Sequence, residues 1–133
     1  MFETILTEIQ SVFASLAWTS KQIAIYPDNY QGTIVNPDEY LRMNIIPADS
    51  NNYAHEGRKL VSGVMFIKIF VKAGEGQKRI MKIADELDSV LQNKTLTNKT
   101  QLGTSFVTME GLDPSNQSLY SARYTIPFKK YGE

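Results

Sequence analysis

Cysteine is absent from the 133 residues, histidine and tryptophan each occur once, and no apolar run is long enough to span a bilayer. The missing cysteine excludes disulfides, thiolate metal sites and a thiol nucleophile, and it fits a reducing compartment such as the cytoplasm. The single histidine, His55, has no second histidine with which to complete a zinc site or the usual His-based triad. A basic excess is missing too. Lys plus Arg and Asp plus Glu number 14 each, so the whole chain lacks the field expected of a dedicated nucleic-acid binder.

The chemical motifs are equally sparse. Gly74-Glu75-Gly76-Gln77-Lys78-Arg79 stands where a phosphate loop would stand, before a helix, and helix N-termini do attract anions. It has neither the GxxxxGK[ST] spacing of a P-loop nor the third glycine of a dinucleotide fingerprint. It therefore reads as a tight strand-to-helix turn. Asp85, Glu86 and Asp88 lack the oxygen-ligand spacing of a calcium loop and read as a solvated helix face. Asp49 and His55 form no acid–base device without a nucleophile motif such as GxSxG. These patterns predict neither catalysis nor a cofactor or metal site. The opening segment has no basic leader and no small-residue cleavage site, so no secretory signal is expected.

What the chain does have is patterned hydrophobicity in ordinary amounts, 42% hydrophobic and 21% charged, at the usual size of one domain. A single domain over residues 1–133 is expected. Phe2, Ile5, Leu6, Ile9, Val12, Phe13 and Leu16 recur at helical spacing and predict a helix that Trp18 closes. Residues 23–26 predict a short strand, and residues 40–46 a second that Pro47 ends. Residues 60–73 predict the longest strand, with Met65, Ile67, Ile69 and Val71 on the core face and Val64, Phe66, Lys68, Phe70 and Lys72 on the other. Ile80, Ile83, Ala84, Leu87, Val90 and Leu91 predict the second helix. Strands at 104–112 and 119–129 follow, joined by a turn at Asp113-Pro114-Ser115-Asn116. The sum is an α+β fold: a mainly antiparallel sheet of four to five strands with two helices packed on one face. Residues 48–57 and 92–103 are read as long polar loops, the first of them mobile.

Charge is uneven along the chain. Residues 1–57 hold two basic and seven acidic side chains, whereas residues 58–82 hold seven basic and one acidic. Either the molecule has an acidic and a basic side, which favours head-to-tail association, or the charges mix on folding. Phe66 and Phe70 share their strand face with lysines, so that either another subunit or loops of the same chain cover them. Phe66, Phe70, Arg58 and Lys59 are accordingly the candidate subunit-interface residues.

The opening helix, the strand Tyr40-Leu41-Arg42-Met43-Asn44-Ile45-Ile46-Pro47 and the strand Gly63-Val64-Met65-Phe66-Ile67-Lys68-Ile69-Phe70 come in a recognisable order. So do the Gly-Glu-Gly turn, the helix segment Ile83-Ala84-Asp85-Glu86-Leu87 and the aromatic last strand ending at Pro127-Phe128. Together they resemble the tail terminator proteins of long-tailed bacteriophages. The resemblance implies a virion structural protein, assembled in the bacterial cytoplasm, that forms a ring, typically a hexamer, at the head-proximal end of the tail tube. Its implied partners are other copies of itself, the tail tube protein and the head-to-tail connector. Lys94 and Lys99, in the loop 92–103, would then contact DNA in the channel without sequence specificity. Two other readings stand beside it: another neck or tail-completion subunit, and a monomeric nucleic-acid or anion-binding module using the turn 74–79.

Overall fold

The computed structural model describes residues 2–21, 23–27, 32, 39–52, 59–74, 76–96, 100–114 and 116–132. In chain order these form α1 (Phe2–Ala14), the single turn α2 (Leu16–Thr19), β1 (Ile25–Pro27), β2 (Tyr40–Asn52), β3 (Lys59–Lys72), α3 (Gly76–Leu91), β4 (Gln101–Leu102), β5 (Phe106–Asp113) and β6 (Asn116–Gly132). All the strands join one sheet in the order β1-β2-β3-β6-β4, with β5 beside β4 on the same edge of β6. The class is α+β. The sheet has six strands rather than four or five, and β1 runs parallel to β2 while the remaining pairs are antiparallel.

Alternation along the strands sorts the sheet into two faces. Leu41 and Met43 on β2, Val61, Met65, Ile67, Ile69 and Val71 on β3, and Ala122, Tyr124, Ile126 and Phe128 on β6 pack with Ile5, Ile9 and Phe13 of α1 and Ile80, Ile83, Leu87 and Leu91 of α3. Both long helices therefore lie on one face. Each large aliphatic side chain buried there contributes about 1.5–3 kcal/mol. Trp18 stands edge-on to Phe13, ring centroids 5.1 Å apart, and its indole N–H donates to the Ile23 carbonyl at 3.1 Å. That contact closes α1 and turns the chain into β1.

Two predicted boundaries move. Pro47 does not end β2, which runs on to Asn52 through a register shift between Pro47 and Asp49. Among the described residues no strand pairs with the outer side of β2 at that point, so the proline's missing N–H removes no ladder bond. The segment 92–103 is not all loop. Thr95 bridges Gln101, and the two residues of β4 pair with Lys129 and Phe128. Residues 53–58, and with them His55, lie outside the described residues.

Two glycines are required by geometry. Gly63 faces the β2 bulge so closely that a Cβ would stand 2.3 Å from the Ile46 carbonyl oxygen and 2.9 Å from a Phe128 ring carbon. Gly74, at φ +101°, makes the turn from β3 towards α3 in a conformation that side chains disfavour.

A second, buried cluster sits on the far face. Tyr40, Phe70 and Leu119 pack together with Tyr26 at one end of the sheet. Among the described residues, no helix is long and apolar enough to cross a membrane.

Candidate interaction face

The helices leave most of the second sheet face uncovered, and strand register places its side chains in rows. The first row, Tyr40–Phe70–Ser121, belongs to the buried end. Next come Arg42, Lys68, Arg123 and Thr108, directly opposite one another across β2, β3, β6 and β5. Asn44, Phe66, Thr125 and Phe106 form the third row, and Ile46, Val64 and Pro127 the fourth. No residue in register in these rows is acidic. Ile46 is 41% exposed and Phe106 59%, so the third and fourth rows put apolar surface in water.

Three cations side by side across neighbouring strands repel one another, since directly opposed like charges destabilise a sheet. Each is drawn onto an aromatic ring. The Arg42 guanidinium lies 5.8 Å from the Tyr40 ring centroid, Lys68 Nζ 5.3 Å from that of Phe70, and the Arg123 guanidinium 5.2 Å from that of Phe66. Such contacts give about 0.5–1 kcal/mol at exposed sites. They hold the cations over the face.

The candidate interface residues do not share one environment. Phe70 is only 5% exposed, and its ring stacks on Tyr40 with centroids 4.7 Å apart and planes 21° from parallel. Its surface is covered inside the subunit, whereas Phe66 on the same strand face is half-buried. Lys59 opens β3 opposite Gly132. Arg58 lies outside the described residues, as does Lys99. Lys94 is exposed in the turn after α3 and lines a groove between α1 and α3 with Glu8, Ser11 and Ser89.

At the turn 74–79, Arg79 is engaged by a carboxylate. Its Nη2 donates to Glu39 Oε2 at 2.8 Å and its Nε to the other carboxylate oxygen, a fork that binds α3 to the start of β2. The groups an anion would need at that turn are thus partly taken. The acidic side of α3 is not simply solvated either. Glu86 pairs with Lys21, whose hydrogen bond and charge hold the carboxyl below its usual range. Asp88 accepts hydrogen bonds from the buried Tyr124 hydroxyl and from that of Ser105, whose Oγ also lies 2.9 Å from Gln92 Oε1. Burial, followed by the bond to Asp88, pushes the Tyr124 hydroxyl well above the ordinary tyrosine value.

A buried ion pair lies between α1 and β6. Lys130 Nζ donates to Glu8 Oε1 at 3.2 Å, and the Thr100 hydroxyl donates to the same oxygen. Sequence alone carried a signal for it: Glu8 falls on the apolar side of α1 beside Ile5 and Ile9, and Lys130 continues the core alternation of Ile126 and Phe128. Among the described residues, no group of three or more His, Cys, Asp or Glu could hold a metal ion.

No protein-family model matches the chain, and no curated protein is similar to it. A solved structure is superposable on nearly all of it, covering 97% of this chain and 94% of the other with a TM-score of 0.68 at 16% identity. At that identity the likeness shows a common fold and nothing of the role.

Proposed function

We propose that this chain is a ring-forming structural subunit of a phage tail, a tail terminator that caps the head-proximal end of the tube and presents the surface on which the head connector docks. The observation that carries self-assembly is the pair of open sheet edges. Among the described residues, β5 has no partner beyond β6, and β2 has none on its outer side past Met43. These edges lie at opposite ends of the strand order, so one subunit's β5 pairing with the next subunit's β2 is a heterologous contact, and heterologous contacts close into rings when the rotation allows. The Pro47 bulge and the bulge at Gly111 shorten the flat stretches on both edges, a device that discourages indiscriminate strand pairing.

This reading moves the subunit contact from Phe70 to the edges, with Phe66 beside it on the uncovered face. The assignment to the terminator, rather than to another neck subunit, rests on the resemblance of the strands and the Gly-Glu-Gly turn described above. In that role the tube protein, the connector and DNA passing Lys94 and Lys99 are its partners, and the tail–head junction of the virion is its place.

Light scattering on size-exclusion fractions, across protein concentration and salt, tests it. The expected mass is one discrete multiple of the 15.0 kDa subunit. A monomer at every concentration overturns ring formation by the isolated protein.

A further inference from the structure

We infer that the uncovered sheet face is a binding platform for single-stranded nucleic acid, with Lys68 and Arg123 meeting phosphates and Phe106 and the Arg123–Phe66 stack meeting bases. The site is complete within one subunit and does not rest on the ring.

Lys68 and Arg123 are directly opposed on neighbouring central strands, β3 and β6, with Arg42 extending the row on β2. Lys68 and Arg123 repel each other, and the residues in register around them on this face are aromatic, apolar or neutral polar. Glu110, in the β5 bulge, forms no ion pair among the described residues. An anion laid along the row relieves a cost the fold already carries. With strands about 4.8 Å apart, Lys68 and Arg123 stand close enough together to meet one backbone phosphate or two successive ones.

The neighbouring row decides which anion. Two residues further along each strand, roughly 7 Å away, stand Phe66 and Phe106, each opposite Thr125. Phe106 is the most exposed aromatic ring in the central rows at 59%. Arg123 lies over Phe66, so the surface offered there is a guanidinium plane backed by a ring. Bases stack on both kinds of plane, and a cation row beside a stacking row is the general arrangement of single-strand binders. A duplex keeps its bases out of reach, and an acidic peptide has no flat rings to match the second row. The chain's neutral total charge gives no long-range attraction, so the affinity rests on the local row, whose in-register positions carry no carboxylate although Glu110 stands exposed in the β5 bulge beside it.

The test is fluorescence anisotropy with a labelled oligothymidylate on the full chain, in a salt series. Micromolar or tighter binding is expected, with affinity falling as salt rises. Lys68→Gln with Arg123→Gln should weaken it at least tenfold and flatten the logarithmic salt slope by about 1.4, at about 0.7 for each single-strand phosphate that is no longer neutralised. Phe106→Ala should weaken it about fivefold or more, as expected for one stacked base. Thr108→Glu sets a carboxylate opposite Arg123 at an exposed position and should block binding with the fold intact, so the result does not hang on the double variant's folding. No binding overturns the inference. Equal binding of a duplex with no effect of Phe106→Ala overturns it in favour of a phosphate-only surface. Competition by polyglutamate as strong as by unlabelled oligonucleotide overturns it in favour of an acidic protein partner.

Discussion

Glu8 of α1 and Lys130 of β6 form an ion pair whose two side chains are only 3% and 10% exposed. Removing one partner leaves a charge in the core, which costs about 3–5 kcal/mol, whereas replacing both with apolar groups of similar size is close to neutral or stabilising. Glu8→Ala is expected to lower Tm by about 10 °C or more, given the usual few degrees per kcal/mol in a domain of this size. Glu8→Met with Lys130→Met is expected to melt near the wild type. Thermal melts followed by circular dichroism decide it, and a single variant as stable as the parent would show that the pair is not desolvated.

Phe70 and Phe66 share a strand face but not a role in stability. Phe70 is enclosed by Tyr40, Leu119 and Tyr26, and its loss leaves a cavity. Phe70→Ala is expected to cost about 3–5 kcal/mol in urea unfolding of dilute protein, and Phe66→Ala less than half of that. For the same reason Phe70→Asp is unsuited to probing assembly: it buries a carboxylate among aromatic rings and unfolds the subunit before any contact between subunits is read. Equal losses from the two alanine variants would contradict the enclosure of Phe70.

Tyr124 ties stability to alkaline pH. Its hydroxyl titrates in the unfolded chain at about 10, and burial together with the bond to Asp88 raises it in the fold. A raised value means that the stabilisation is complete below the unfolded value and is lost as pH climbs from there towards the folded one. Urea midpoints are therefore expected to hold through neutral pH and fall above about 10. Tyr124→Phe should lose about 1 kcal/mol at pH 7 with the hydrogen bond and show a shallower alkaline fall. An identical alkaline fall in the variant would place its origin elsewhere.

The elements with one uninterrupted period were legible in the sequence. α1, β3, α3 and the alternation of β6 each repeat their apolar residues over three or more turns or pleats. β4 escaped because two residues carry no period, and β2 outran Pro47 because whether a proline ends a strand depends on which side lacks a partner. The parallel pairing of β1 with β2 could not be read from Ile25, Tyr26 and Pro27, because three residues carry no sign of strand direction. The uncovered face shows the limit most clearly. Phe66, Phe70 and Lys68 were visible as an odd mixture on one strand, but the ladder Arg42–Lys68–Arg123 exists only once three strands from distant parts of the chain take their register. The burial of Phe70 likewise depends on Tyr40 arriving opposite it.

β6 is the last element of this sequence and sits in the interior of the sheet, paired from Leu119 to Gly132 with β3 on one side and with β4 and β5 on the other. During synthesis, β2, β3 and α3 emerge first, and β3 then waits with a bare edge until its partner has left the ribosome. Tyr120 pairs with Val71 and Phe128 with Gly63, so both contacts wait for the final stretch of this sequence, β6, to emerge. Until then the nascent chain exposes the edge of β3, whose two faces carry Met65, Ile67 and Ile69 on one side and Val64, Phe66 and Phe70 on the other. A ribosome that stalls between α3 and β6 therefore holds a chain prone to stick to its neighbours.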